Sequence, residues 1–105
     1  MMLRLLWVFA LLLVTGIASV SADEIVRYRL PDWKQKHLHD SAKATKIADT
    51  LKKLGCEVKK ADHNGHIDVI YRCPQWKQLD LDSHEEAHKW ESWFKEFQFQ
   101  TEHKH

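Results

Sequence analysis

The feature that most constrains the fold is an internal repeat of 43 residues. When the segment that begins at Val26 is written above the segment that begins at Val69, the two align without a gap. The matched positions include Tyr28 with Tyr71, Arg29 with Arg72, Pro31 with Pro74, Trp33 with Trp76, Leu38 with Leu81 and Ala44 with Ala87. Because self-similarity at a fixed period marks a repeated structural unit, the sequence predicts two copies of one supersecondary motif.

Each copy has the pattern of a strand, a helix and a second strand. Apolar Val26, Tyr28 and Leu30 alternate with arginines, which predicts a strand. The proline that follows is expected to end regular pairing or to force a bulge. An extended connection carrying Trp33, or Trp76 in the second copy, then leads to the helix. A short strand closes each copy, with the sequences CEVKKA and FQTE.

The two helices are predicted from their caps and their apolar stripes. Asp40 or Ser41 caps the first helix and Gly55 ends it, whereas Ser83 and Glu86 form a capping box at the start of the second. The stripes consist of Ala44, Ile47, Ala48, Leu51 and Leu54 in the first helix and of Ala87, Trp90, Trp93, Phe94 and Phe97 in the second.

Two such units in tandem give the order β-α-β-β-α-β. Right-handed crossovers then place both helices on one face of a four-stranded antiparallel sheet. This α+β arrangement resembles the ferredoxin-like fold, and the resemblance implies an architecture but no function. We expect residues 23–105 to form one domain, with repeat halves at about 25–63 and 66–105. Tyr28, Tyr71 and the tryptophans are assigned to its core.

Residues 1–22 have the pattern of a secretory signal peptide. Arg4 precedes the apolar run LLWVFALLLV, and Val20 and Ala22 suit a cleavage site. The protein is therefore expected to be secreted or periplasmic, with no membrane contact after cleavage. Apart from Arg4, the chain has 15 basic residues to balance 15 acidic ones. A mature chain without net charge gives no reason to expect nucleic acid as a partner.

The two cysteines are predicted to form a disulfide. Asn64-Gly65 is a strong signal for a two-residue hairpin turn, and such a turn places Cys56 directly opposite Cys73. Opposed residues at a non-hydrogen-bonded position have Cα atoms about 4.5 Å apart, which suits a disulfide. Export to an oxidising compartment favours the bond.

Residues 84–88 read HEEAH and match the H-E-x-x-H pattern of zinc peptidases. A helical wheel places His84, His88 and Glu91 on the polar side, facing water rather than a cleft. We therefore interpret the motif first as a solvent-exposed helix face, with a surface metal site as the alternative. Peptidase chemistry is not expected, and the protein is predicted not to be an enzyme.

All eight histidines follow residue 22. The topology sorts them to two ends of the sheet, with His37, His39, His63 and His66 at one end and His84, His88, His103 and His105 at the other. Clustered imidazoles bind zinc, copper or nickel. The histidines lack the tight spacing of a dedicated site, so exposed polar residues are the simpler interpretation. A divalent transition metal is the alternative cofactor.

The sheet face without helices is the last candidate site. Arg27, Arg29 and Arg72 are predicted to project from it beside Glu57 and Asp68, with no stacking aromatic residues among them. These observations predict a non-enzymatic domain that binds a protein partner through this open face. The alternative is a histidine-rich protein that binds a transition metal outside the cytoplasm.

Overall fold

The computed structural model describes residues 24–104. Along the chain these form β1 (Glu24–Leu38), α1 (Ser41–Lys53), β2 (Glu57–His63), β3 (His66–Leu81), α2 (His84–Glu96) and β4 (Gln100–Lys104). The predicted signal peptide and His105 lie outside the described residues. Neither of the two helices in the described part is long and apolar enough to span a membrane.

The four strands form one antiparallel sheet in the order β2-β3-β1-β4. The long strands β1 and β3 are central, and the short strands β2 and β4 lie at the edges. The predicted α+β class, with a four-stranded antiparallel sheet and two helices, is confirmed.

The β2-β3 hairpin has the predicted turn and register. Asn64 and Gly65 both adopt positive φ, at 57° and 81°, as a type I′ turn requires. Pairing then runs from His63 opposite His66 to Glu57 opposite Arg72. Because a two-residue turn fixes every later pair of a hairpin, this one dipeptide determines the pairing of the two strands.

Both central strands are longer than the sequence predicted. β1 continues through Pro31 and β3 through Pro74, and the register between the strands shifts on both sides of Leu30. The prolines therefore accompany a bulge, where a residue without an N–H loses no ladder hydrogen bond. The prediction that Trp33 and Trp76 lie in connections was wrong, since both belong to the strands.

The helices begin at the predicted caps and share one core. Asp40 Oδ1 accepts the backbone N–H groups of Ala42 and Lys43, and Ser83 Oγ accepts that of Glu86. Apolar side chains of both helices pack in a single cluster with alternate residues of the central strands: Val26, Tyr28, Leu30, Ala44, Ala48, Leu51, Val69, Tyr71, Cys73, Ala87 and Phe94. Alternate strand residues share a face, so both helices cover the same side of the sheet. We call the opposite side the open face.

Cys56 and Cys73 are free thiols in the structure and do not lie at disulfide distance. Cys56 precedes the first residue of β2, so it falls just outside the β2-β3 ladder. The two thiols are nevertheless neighbours that share a hydrogen bond, which raises the pKa of Cys56 and lowers the pKa of Cys73. Formation of the disulfide therefore stays a prediction.

Candidate metal centre

Four histidines surround one carboxylate at the hairpin end of the sheet. We call this group the hairpin-end cluster, and it consists of His37, His39, His63, His66 and Asp68. The antiparallel register places His63 opposite His66 and His37 opposite Asp68. Since opposed residues project from the same side of a sheet, the cluster lies on the open face.

Asp68 holds two imidazoles of this cluster. Its Oδ1 lies 2.6 Å from His37 Nδ1 and its Oδ2 lies 2.8 Å from His63 Nε2. Only 12% of the Asp68 side chain is exposed. Hydrogen bonds from His63 and His37 keep the pKa of this carboxyl below its ordinary value. Asp68 was predicted to stand beside the arginines of the open face, but it instead lies among histidines.

The other nitrogen of His37 faces a second imidazole. His37 Nε2 lies 3.0 Å from His66 Nδ1, and the ring centroids of His39 and His66 are 4.2 Å apart. One ligating nitrogen from each of these three residues lies within 4.8 Å of the others. Zn–N bonds of 2.0–2.1 Å in a tetrahedron separate neighbouring ligand atoms by about 3.3 Å. The trio is therefore of the size that one ion requires.

Electrostatics in this cluster favour the form of histidine that binds metals. Burial, followed by the neighbouring His39, His37 and His63, lowers the pKa of His66. A lower pKa keeps the ring neutral at neutral pH, and only a neutral imidazole has a lone pair to donate.

A second group lies at the start of α2, at the opposite end of β1. We call it the helix-start cluster, and it consists of Glu24, His84, His88, Glu91 and His103. Glu24 Oε1 contacts His84 Nδ1 at 2.7 Å and His103 Nε2 at 2.8 Å. Three elements that are distant in the chain, β1, α2 and β4, thus meet at one carboxylate oxygen.

Further contacts close the helix-start cluster into a ring. Glu91 Oε1 lies 3.0 Å from His103 Nδ1 and 3.3 Å from His88 Nδ1, while His88 Nε2 lies 2.7 Å from His84 Nε2. Two carboxylates and three imidazoles, all of them groups that can ligate a transition metal, thus meet in one ring.

The HEEAH motif lies in this cluster, and the expectation that it forms a solvent-exposed helix face is met only in part. The side chains of His84 and His88 are 58% and 61% exposed, so they face water as predicted. They are not an isolated helix face, because both contact other members of the ring. The three residues whose ligating atoms converge are Glu24, His84 and His103, and this trio does not include His88.

Sequence reasoning missed Glu24 as a site residue and gave His103 no partner. The sequence does contain a signal that Glu24 belongs to a site. It occupies the same alternation as buried Val26, Tyr28 and Leu30, and it is itself buried. A carboxylate at a core position of a strand needs a partner, so its presence indicates a polar site at that end of the core.

The open face carries aromatic residues, contrary to the prediction. Trp33 lies against Arg72 and Lys59, with the guanidinium carbon and the ammonium nitrogen 4.6 and 4.5 Å from the ring centroid. Arg72 also donates two hydrogen bonds to Glu57. This predicted pair of the interaction face therefore exists, and a tryptophan covers it.

The other half of the open face has the same construction. Arg27 and Arg29 lie 4.8 and 4.6 Å from the ring centroid of Trp76. Arg27 bonds to Glu102 at 2.7 Å, and Arg29 donates to Gln100 at 2.8 and 3.0 Å. Trp33 and Trp76 are thus surface stacking residues rather than parts of the core.

The two histidine clusters share one chemical arrangement. In each, an imidazole is bonded to a carboxylate through Nδ1 and turns Nε2 towards another potential ligand: His37 with Asp68, and His103 with Glu91. Metal-binding histidines are held in this way by an outer carboxylate. No protein-family model, curated protein or solved structure matches the chain. The geometry of the clusters is therefore the basis on which its function is inferred.

Proposed function

We propose that the protein binds a divalent transition-metal ion at the hairpin-end cluster, with His37, His39 and His66 as ligands. One observation carries the proposal. Asp68 fixes His37 through Nδ1 and leaves its Nε2 3.0 Å from His66 Nδ1. A buried carboxylate that orients an imidazole towards a second imidazole is the arrangement that positions histidine ligands around a metal.

The donor set indicates the class of metal. Imidazole nitrogens suit Zn²⁺, Cu²⁺ and Ni²⁺, whereas Mg²⁺ and Ca²⁺ require oxygen ligands. Three imidazoles on a solvated sheet face leave a fourth position for water or for a ligand from another molecule. Such a site suits binding and exchange of the ion. We propose this as a non-enzymatic role.

The proposal also includes the finer architecture. We propose a ferredoxin-like domain built from two tandem β-α-β units, which follows a secretory signal peptide and works in the periplasm or outside the cell. The observed order of elements and the sheet order support this topology. Two relations support the repeat. The helices begin 43 residues apart and each spans 13 residues, and Val26 pairs with His103 as Val69 pairs with Lys60.

A second candidate function is protein binding through the open face, and one observation favours it. The guanidinium of Arg29 bonds to the neutral amide of Gln100 and makes no ion pair with any residue of the described part. Its charge is therefore available to a carboxylate of a partner. Arg27 and Arg72, by contrast, are already paired with Glu102 and Glu57.

Metal binding can be tested with protein that has been stripped of ions by a chelator. Equilibrium dialysis with Zn²⁺ and elemental analysis give the number of bound ions, and calorimetry gives the affinity. We expect the double variant His37→Gln/His66→Gln to bind one ion fewer per chain than the parent. Asp68→Asn keeps the ligands but no longer orients His37, so we expect the affinity of this site to fall about 10–100-fold.

The control changes two arginines of the open face that lie outside the hairpin-end cluster. Replacing Arg29 and Arg72 together with Ser leaves the three histidines intact, so the number of bound ions should not change. If His37→Gln/His66→Gln binds as many ions as the parent with the same affinities, the proposed metal site is wrong. A cobalt-loaded sample gives an independent measurement, because its visible absorption reports whether imidazoles coordinate the ion.

A further inference from the structure

We propose that Glu24, His84 and His103 form a second metal site, which joins the start of α2 and strand β4 to the start of β1. The ion that fits it is a divalent transition metal such as Zn²⁺, because two imidazole nitrogens and one carboxylate oxygen are a common donor set for zinc. The site shares no residue with the hairpin-end cluster, so it can be tested independently of the metal site proposed there.

The positions of the donor atoms support this site. Glu24 Oε1, His84 Nδ1 and His103 Nε2 converge, with 2.7 and 2.8 Å between the oxygen and the two nitrogens. Neighbouring ligands of a tetrahedral zinc ion lie about 3.3 Å apart, so an ion would widen each contact by about 0.6 Å. Rotation of the exposed His84 side chain widens its own contact, and rotation of the Glu24 carboxylate about its terminal bond, which is a soft torsion, widens the contact with His103.

A carboxylate behind His103 supports the same assignment. His103 Nδ1 lies 3.0 Å from Glu91 Oε1, which turns Nε2 towards Glu24. Glu91 therefore has the orienting role at this site that Asp68 has for His37 at the other. His88 also contacts Glu91 but lies outside the converging trio.

The burial of the ligands indicates a structural ion. The side chains of Glu24 and His103 are only 8% and 11% exposed, and His84 forms the side open to water. Strand β4 has five residues and pairs with β1 alone, at the edge of the sheet. An ion held by Glu24, His84 and His103 adds a cross-link between this edge strand and two elements remote in sequence, and binding to the folded state alone favours that state.

The inference can be tested by zinc stoichiometry together with hydrogen exchange. Amide exchange of residues 100–104 is measured in chelator-treated protein and again with free Zn²⁺ at about ten times its dissociation constant. At that concentration we expect zinc to slow exchange in β4 about tenfold in the parent. We expect His84→Gln and His103→Gln each to bind one ion fewer and to lose the zinc effect on β4.

Two further variants complete the test. Glu85→Gln, at an exposed position of α2 outside the helix-start cluster, should retain both the ion and the protection of β4, since the trio is intact. His37→Gln/His66→Gln should lose the hairpin-end ion yet keep the zinc effect on β4, which distinguishes failure of one proposal from failure of the other. His84 is exposed, so its variant still gives the test if His103→Gln does not fold. If His84→Gln keeps the parent stoichiometry and the zinc effect on β4, the second site does not exist.

Discussion

Two buried tyrosines hold the C-terminal ends of the two helices in the same way. The Tyr28 hydroxyl donates to the carbonyl of Leu54 at 2.8 Å, and the Tyr71 hydroxyl donates to the carbonyl of Phe97 at 3.1 Å. Leu54 and Phe97 are the C-cap residues of α1 and α2. Because the last carbonyls of a helix have no intrahelical partner, each tyrosine satisfies an acceptor that would otherwise be buried and unpaired.

Replacement of either tyrosine with phenylalanine isolates this hydrogen bond. Tyr28→Phe keeps the ring, which stacks on Phe94 with a centroid distance of 4.6 Å, and removes only the hydroxyl. The buried carbonyl then loses its donor, which costs about 1–2 kcal/mol of unfolding free energy. Tyr71→Phe should cost a similar amount. The two hydrogen bonds share no group, so the double variant should lose about the sum, roughly 2–4 kcal/mol.

The assay is equilibrium unfolding in urea at neutral pH, followed by tryptophan fluorescence. Thr50→Val is a matched control, because the Thr50 hydroxyl also donates to a backbone carbonyl, that of Lys46 at 2.9 Å, but on an exposed helix surface. Water can replace that bond, so the control should change stability by less than about 0.5 kcal/mol. If the tyrosine variants cost no more than the control, the tyrosines do not hold the helix ends. If only one of them is costly, the two halves of the fold are not equivalent.

Two other measurements follow from the titratable groups of the core. Burial, as the main cause, raises the pKa of Tyr28 and Tyr71 to about 12, while both would ionise near 10 in the unfolded chain. Their contribution to stability is therefore complete below pH 10 and is lost as the pH rises towards 12, by about 1.4 kcal/mol per pH unit for each tyrosine. Urea unfolding across this range should show the loss in the parent and a flatter profile in Tyr28→Phe/Tyr71→Phe. For the neighbouring thiols, treatment with a small-molecule disulfide should join Cys56 to Cys73 with a mass loss of two hydrogens; two thiols still free after treatment would refute the pairing.

The elements with local signals could be predicted from the sequence. Asn64-Gly65 determines the β2-β3 register, because both residues tolerate positive φ and a two-residue turn leaves no freedom in later pairs. The caps at Asp40 and Ser83 are likewise local, since each side chain bonds within three residues of its own position. Such features depend on neighbours along the chain and are therefore readable without the tertiary structure.

The course of the strands beyond the prolines could not be predicted in the same way. Whether Pro31 ends a strand or accompanies a bulge depends on β3, whose register with β1 shifts on both sides of Leu30. Once the bulge is known, alternation continues from Arg27 and Arg29 to Trp33 and places it on the open face. A bulge was one of the two expected effects of the proline, but the placement of Trp33 in a connection was wrong, because the partner strand decides whether pairing continues.

The candidate sites show the same difference between features that can be read from the sequence and features that depend on tertiary contacts. The histidines could be assigned to the two ends of the sheet from topology, because strand directions follow from the order of elements. The contacts between these histidines and the carboxylates at their centres could not be predicted, because a helical wheel of α2 contains no information about the strand that begins beside it. Glu24 and His103 approach His84 only through the packing of β1 and β4 on α2.

The choice of partner for the buried carboxylates is informative about function. Glu24 and Asp68 are the buried charged residues of the described part of the chain. A buried carboxylate needs compensation, and arginine gives the most permanent form of it, through two parallel hydrogen bonds and a charge that does not titrate. This chain uses arginine in that way on the open face, where Arg72 binds exposed Glu57. At both buried carboxylates it uses pairs of histidines, whose nitrogens either donate a proton or bind a metal ion. An arginine at these positions would occupy the carboxylate permanently, whereas a neutral histidine can donate a nitrogen to a metal ion, so the choice of histidine supports the two metal sites proposed above.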